Sequence, residues 1–148
     1  RTPIHFHYLR RTNLISFQTE HHIEPSEFRN VLIRSTLGDR RPVNDPERIK
    51  KMAENASLII TARDGKKLVG IARSVTDFTY CTYLSDLAVD QDYQKQGIGK
   101  DLIRLTKLAV PEASLILLSA PAARHYYPKI GMDKHEACYI LRDVNNLT

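Results

Sequence analysis

The stretch YQKQGIGKDLI, residues 93–103, places two glycines one residue apart where a polar segment changes into a helical pattern. The preceding Leu87-Ala88-Val89 is typical of the end of a strand, so a strand, a turn and a helix follow one another. The first backbone N–H groups of a helix have no partner within it, and the helix dipole is positive at that end. Gly97 and Gly99 carry no side chain that could block an anion. The sequence therefore predicts an anion-binding turn.

The residue pattern of this turn excludes two familiar phosphate-binding motifs. A dinucleotide-binding GxGxxG would need a glycine where Leu102 stands. A nucleotide P-loop would need a glycine at Gln94 or Lys95 and a Ser or Thr after its Lys. The pattern that is present is Gln94-x-x-Gly97-x-Gly99.

Length and composition indicate an ordinary globular protein. The 148 residues fit one domain, so we expect a single domain over residues 1–148. The chain is 42% hydrophobic and 26% charged, and its apolar runs are far too short to cross a bilayer. We therefore expect a cytoplasmic protein with no membrane partner. Cys81 and Cys138 match no metal or disulfide spacing, and we interpret them as small buried hydrophobic residues.

The net charge of +5 favours an anionic partner without identifying it. The basic residues are scattered and match no nucleic-acid motif, so we expect no nucleic-acid partner. A phosphorylated small molecule suits the charge equally well. His5-x-His7 and His21-His22 have no further ligands at a metal-binding spacing, and we assign no metal.

The order of predicted elements indicates an α/β fold with a mixed sheet and helices on its faces. Asp64-Gly65 between two strand patterns predicts an antiparallel hairpin. The helix beginning at Pro46 has Asp45 as its expected N-cap. The predicted strands are residues 13–19, 57–63, 67–77, 80–89, 114–119 and 135–142, and the predicted helices run from Pro25 through Ile33, from Pro46 to about Asn55, and over 96–110 and 121–130.

The Gln94-x-x-Gly97-x-Gly99 pattern resembles a motif of the GNAT superfamily of acyl-CoA-dependent N-acetyltransferases. YLSDLAVDQDYQ, residues 83–94, is similar to the strand and acidic turn that precede this motif. AARHYYPKIGM, residues 122–132, is similar to the family's second motif. The resemblance is specific from about Tyr80 to Met132. It implies a GNAT-like fold with a central mixed, mostly antiparallel sheet flanked by about four helices.

The resemblance also implies an activity and its partners. The expected reaction transfers an acetyl group from acetyl-CoA to a primary amine by direct attack in a ternary complex. The alternative is a non-catalytic acyl-CoA-binding or regulatory module. By analogy with the family we expect a homodimer.

The resemblance implies where the coenzyme binds. The turn would hold the pyrophosphate, and pantetheine would run along the end of the preceding strand like an added strand. A backbone amide near Leu87 or Val89 would polarise the thioester carbonyl. The expected cofactor-binding residues are Leu87, Ala88, Val89, Gln94, Lys95, Gln96, Gly97, Ile98, Gly99 and Lys100.

Two catalytic residues are predicted, Tyr127 and Asp86. A phenol with a pKa of about 10 can protonate a thiolate whose thiol has a pKa of about 8.5, at a mismatch of about 2 kcal/mol. Tyr127 occupies the family's acid position, four residues before Gly131. Asp86 alternates with Leu87 on the strand and is the candidate base, or else a carboxylate hydrogen-bonded to backbone or a neighbouring strand. Ordered water or His125 are the other candidate bases.

Arg40-Arg41 lies in the predicted loop between the first two helices. We interpret it as a solvated turn. Because the family builds part of its acceptor pocket from this region, contact with an acidic group of the acceptor is the alternative.

Overall fold

The computed structural model of the protein describes residues 5–10 and 13–148. The chain forms two compact units that divide between Leu118 and Ser119. The first unit contains the sheet, and the second, Ser119–Thr148, is described separately below. No helix in the described part of the chain is both long and apolar enough to cross a bilayer.

The sheet of the first unit has six strands in the order β1-β2-β3-β4-β5-β6. All neighbouring pairs are antiparallel except β5 and β6, which are parallel. The mixed, mostly antiparallel sheet is therefore confirmed, while β1 was not predicted from the sequence. The strands are β1 (His5–Arg10), β2 (Asn13–Thr19), β3 (Leu58–Asp64), β4 (Lys67–Thr76), β5 (Cys81–Val89) and β6 (Ser114–Ile116).

The predicted helices of the first unit are confirmed within a few residues. They are α1 (Pro25–Arg34), α2 (Pro46–Glu54) and α3 (Ile98–Ala109). The Asp45 side chain accepts a 3.1 Å hydrogen bond from the backbone N–H of Arg48, as expected for an N-cap before a proline.

Helices cover both faces of the sheet and bury two hydrophobic cores. The core on the α3 side includes Leu84, Leu102 and Leu105, and the core on the α1–α2 side includes Phe28 and Ile71. Gly70 on β4 allows α3 to pack closely, because a Cβ there would lie 3.1 Å from Leu102 Cδ1 and 3.2 Å from Ile98 Cγ2. This contact fixes the first turn of α3 against the sheet.

A β-bulge interrupts β5 at Ser85. Arg73 pairs with Asp86, while the next residue of β4, Ser74, pairs with Leu84, so Ser85 is the extra residue. Leu84 and Leu87 consequently pack on the α3 side of the sheet, although they are three residues apart. Asp86 is directed to the opposite face, where the α1–α2 core lies.

Strand prediction was wrong at the C-terminal end of the chain. Residues 135–142 form no strand, and the second unit, which the structure describes throughout, contains no strand to pair with them. A strand needs a neighbour for its N–H and C=O groups, which an apolar pattern alone cannot supply. The strand at 114–119 is also shorter than predicted, ending at Ile116.

The helix predicted over 121–130 is interrupted. It consists of a 3-10 turn, Pro121–Ala123, and a short helix α4, Tyr126–Lys129. Pro128 cannot donate to the carbonyl of Arg124 and its ring crowds that group, so one continuous helix cannot form. Cys81 and Cys138 are both exposed, which corrects their interpretation as buried residues.

Candidate active site

The end of β5 has a free edge. β6 pairs with β5 only at residues 81–83, whereas β4 pairs with it up to Val89. Leu87, Ala88 and Val89 are therefore bonded to β4 on one side, and no strand in the described sheet pairs with their other side. An extended chain can add to such an edge through main-chain hydrogen bonds.

Asp90 anchors the chain where β5 ends. Its backbone N–H donates to Val69 O at 2.8 Å, and its carboxylate accepts from Arg34 Nε of α1 at 2.7 Å. The same carboxylate accepts from the backbone N–H of Asp92 at 2.9 Å. These bonds fix the direction in which the turn leaves the sheet.

Tyr93 fastens the turn to the β3–β4 hairpin. Its hydroxyl donates a 2.6 Å hydrogen bond to Asp64, which together with partial burial raises the pKa of Tyr93 to about 12. The Lys67 ammonium lies 5.3 Å from the centre of the Tyr93 ring. The turn is thus held in place before the glycines are reached.

The glycine turn joins β5 to the start of α3, as the sequence predicts. Lys95 has a φ of 58° and Gly97 a φ of 84°, so two left-handed residues redirect the chain into α3. The N–H of Asp101 donates to Gly97 O at 3.0 Å, and the four preceding amides have no carbonyl partner within the helix. These amides belong to Gly97, Ile98, Gly99 and Lys100.

Gln94 connects this turn to the free strand edge. Its Nε2 donates to Val89 O at 2.8 Å. The first unit therefore brings together the predicted cofactor-binding residues of β5 and those of the turn, 94–100. The exposed side chains of Lys95 and Lys100 add positive charge beside the amides.

Asp86 lies among cations. Its side chain is 0% exposed, and its two oxygens accept from Arg41 Nε and Arg73 Nε. Arg73 also donates to Met52 O of α2 and to Ser85 Oγ, and its guanidinium lies 5.8 Å from the centre of the Phe28 ring of α1. Both carboxylate oxygens are thus engaged by guanidinium groups.

Arg41 is not the solvated residue expected from the sequence. Its Nη2 donates to Ser85 O at 2.8 Å and its Nη1 to Arg40 O at 2.9 Å, besides the bond to Asp86. The partners of Asp86 were not identified from the sequence. The sequence signal that could have indicated such partners was an acidic residue facing inward on an apolar strand. A buried carboxylate needs a cation nearby.

The remaining predicted residues lie in the second unit. Burial, and secondarily the neighbouring Tyr126, raise the pKa of Tyr127. The two rings make an edge-to-face contact with centroids 5.4 Å apart. His125 precedes α4 and is exposed, and its Nε2 lies 3.2 Å from Arg124 Nε.

Gly131 ends α4 in a Schellman motif. The N–H of Met132 donates to Tyr127 O at 3.1 Å and the N–H of Gly131 donates to Pro128 O at 3.1 Å. Gly131 has a φ of 97°, which this motif requires. The glycine of the second sequence motif therefore fixes the backbone that carries Tyr127.

Comparison with known proteins identifies the family of the chain. The family model described as acetyltransferase (GNAT) domain matches residues 41–140. The chain belongs to the GNAT acetyltransferase family. One relative, the uncharacterized N-acetyltransferase ycf52 of Pyropia yezoensis, is 32% identical over 102 residues, which are 64% of this chain and 57% of that protein. This chain therefore spans little more than half the length of that relative.

Solved GNAT structures share the fold. A GNAT-family acetyltransferase from Streptococcus pneumoniae superimposes with a TM-score of 0.70 at 22% identity, covering 87% of this chain and 99% of that one. The aminoglycoside N-acetyltransferase AAC(6')-Iy, solved in complex with CoA, gives a TM-score of 0.68 at 12% identity, covering 93% of this chain and 99% of that one. At these identities the likeness concerns the fold.

The residues present fit the acetyl-CoA that the GNAT family uses. A diphosphate needs unpaired N–H donors and positive charge, which the start of α3 and its flanking lysines provide. An extended amide-containing arm needs free main-chain groups, which the edge of β5 provides. Among the described residues, no group of His, Cys, Asp and Glu is arranged to hold a metal.

Proposed function

We propose that the protein is an N-acetyltransferase that moves an acetyl group from acetyl-CoA to a primary amine of a small molecule or peptide. The amine attacks directly, within a ternary complex. The observation that carries this proposal is the free edge of β5 leading into the glycine turn, two features joined by the Gln94–Val89 hydrogen bond. The coenzyme supplies the activated acyl group as a thioester.

In this proposal the backbone performs most of the binding. The amides of Gly97 to Lys100 bind the pyrophosphate, and Lys95 and Lys100 add attraction at long range. The edge of β5 binds pantetheine, and an amide near Leu87 or Val89 stabilises charge on the carbonyl oxygen. The side chains of Leu87 and Val89 pack in the core instead, so substitutions there would report on stability.

Tyr127 is the proposed general acid. Its raised pKa, caused first by burial, keeps the phenol protonated at neutral pH and able to donate from Oη to the leaving thiolate. The second motif supports this role because its glycine, four residues after Tyr127, ends α4 and holds the backbone that carries the tyrosine. Tyr126, the more exposed of the two, has a packing role in this scheme.

The amine must also lose a proton. Asp86 is the candidate base predicted from the sequence. In the structure, however, both of its carboxylate oxygens accept hydrogen bonds from guanidinium groups. We therefore propose that Asp86 holds the Arg41 and Arg73 side chains in place. In this scheme ordered water removes the proton from the amine. His125 remains the alternative, because an imidazole side chain is a common general base in catalysis.

Thiol release from acetyl-CoA tests the proposal, measured with polyamines, free N-terminal peptides, lysine peptides, aminoglycosides and amino acids. Calorimetry with CoA is run in parallel. Saturable binding together with amine-dependent thiol release is the expected result. Binding without turnover on any amine would favour the non-catalytic module, and an absence of binding would contradict both.

A further inference from the structure

The cluster formed by Arg41, Arg73 and Asp86 carries unbalanced charge. Two guanidinium groups share one carboxylate, and within the described residues neither makes an ion pair with any other acid. One positive charge is therefore left over. Asp86 is 0% exposed and the Arg73 side chain 9%, whereas the Arg41 side chain is 22% exposed. The excess charge thus reaches solvent through Arg41.

Arg41 also has hydrogen-bonding capacity to spare. A guanidinium has five N–H donors, and three are used by Asp86, Ser85 O and Arg40 O. One N–H on each terminal nitrogen has no hydrogen-bond partner among residues 5–10 and 13–148. Two N–H groups on one planar guanidinium match the two oxygens of a carboxylate. Such charge-assisted hydrogen bonds are stronger than hydrogen bonds between neutral groups.

The position of this guanidinium connects it to the reaction. Arg41 donates to the carbonyl of Ser85, the bulged residue of β5, which lies two residues before the free edge at Leu87 to Val89. Asp86, its other partner on β5, faces the α1–α2 side of the sheet. Arg41 therefore lies beside the start of the free edge, where β5 turns Asp86 toward the α1–α2 side.

We propose that the amine acceptor carries a carboxylate and that Arg41 binds it, which makes Arg41 a residue that determines acceptor specificity. This inference rests on the proposed function. One surplus positive charge matches the single negative charge of a carboxylate better than the charge of about −1.5 to −2 on a phosphate monoester. Asp86 and Arg73 are positioning residues that hold the Arg41 guanidinium in place.

The test compares amines that differ only by replacement of a carboxylate with a carboxamide. Suitable pairs are glycine and glycinamide, β-alanine and its amide, γ-aminobutyrate and its amide, and peptides with Asp or Asn after a free N-terminus. The measurement is kcat/KM for thiol release from acetyl-CoA. Because the carboxamide also changes the basicity of the amine, the decisive quantity is how the acid-to-amide ratio changes between wild type and variant.

Arg41→Gln is expected to lower this ratio by about 10- to 100-fold, the range of a lost charge-assisted hydrogen bond, mainly through the KM of the acid. The amide partners should lose much less activity than the acids. Arg40→Gln is the matched control, because Arg40 is exposed and contributes only its carbonyl oxygen to the cluster. Arg41→Lys, which keeps the charge but not the planar fork, should retain part of the preference.

Equal losses for acid and amide in Arg41→Gln would overturn the inference, since they would indicate a purely structural tie to β5. An unchanged ratio would overturn it as well. If CoA binds and no amine reacts, the proposed function fails, and the pairs are then compared by NMR of the Arg41 Nε–H resonance in the CoA complex. A shift with the acids and none with the amides would support carboxylate binding, and identical spectra would reject it.

Discussion

Gln94 Nε2 donates a 2.8 Å hydrogen bond to the carbonyl oxygen of Val89, so the turn before α3 is tied to the last residue of β5. This bond joins the two parts of the proposed coenzyme site. It also sets the spacing between the strand edge and the amides at the start of α3.

Gln94→Ala should loosen that connection. Loss of the bond is expected to lower the free energy of unfolding by about 1 kcal/mol and to raise the Kd for CoA about fivefold. Denaturant titration and calorimetry measure the two effects. Gln91→Ala, at an exposed neighbouring position, should change neither. A CoA affinity unaffected by Gln94→Ala would show that the bond is not needed for binding.

Gly97→Ala tests the glycine turn. At a φ of 84° an alanine is strained by about 1–2 kcal/mol, and a distorted turn should weaken CoA binding about tenfold or more. Gly65→Ala is the matched control, since Gly65 has a φ of 58° and open space around a Cβ but lies in the β3–β4 hairpin. Gly65→Ala should cost stability and leave CoA binding intact. Equal weakening in both variants would remove the turn from the binding site.

Tyr127→Phe should lower kcat by about 10²- to 10⁴-fold, the usual range for a lost general acid, without changing the Kd for CoA. A general acid works only while protonated, so wild-type kcat should fall as pH rises through the raised pKa of Tyr127. The Phe variant should lack this alkaline decline. Tyr126→Phe, which keeps the aromatic contact, should stay close to wild type. A full kcat in Tyr127→Phe would exclude the phenol as the acid.

Asp77 should make stability depend on pH in the acid range. Its carboxylate accepts from the backbone N–H groups of Tyr80, Thr79 and Cys81, which lower its pKa from 3.8 to about 2. A lowered pKa stabilises the fold above 3.8, and this contribution is lost as pH falls toward 2.

Asp77→Asn should therefore flatten the decline of Tm between about pH 4 and pH 2. Asp133→Asn, which removes an exposed carboxylate in the second unit, is the control and should preserve the wild-type slope. Parallel Tm curves for wild type and Asp77→Asn would contradict the assignment.

Ser74→Ala should stabilise the protein. Ser74 is fully buried, and its Oγ has no hydrogen-bond partner in the described structure. An unsatisfied buried hydroxyl costs about 1–3 kcal/mol, so its removal should raise the free energy of unfolding by about 1 kcal/mol. Ser35→Ala is the matched comparison, because the Ser35 hydroxyl donates to Leu32 O at 2.9 Å. A larger loss in Ser74→Ala than in Ser35→Ala would indicate a hidden partner for Ser74.

Much of the fold was predictable because its signals are local. Asp45 and Pro46 begin α2, Asp64-Gly65 closes the β3–β4 hairpin, and Gly97 starts α3, each within a few residues of the feature it sets. The strand pattern before Gly97 then located the proposed coenzyme site. Backbone conformation and capping depend on neighbours along the chain, which a sequence displays directly.

Only the tertiary structure decided the surroundings of Asp86. Its partner Arg41 lies 45 residues away, and its pairing with Arg73 depends on the bulge at Ser85. The same limit explains the wrong strand at 135–142, since a strand pattern in the sequence does not supply a partner strand. Strand register and ion pairing arise from contacts between distant segments. The sequence therefore determined the glycine turn, while packing determined which cations surround Asp86.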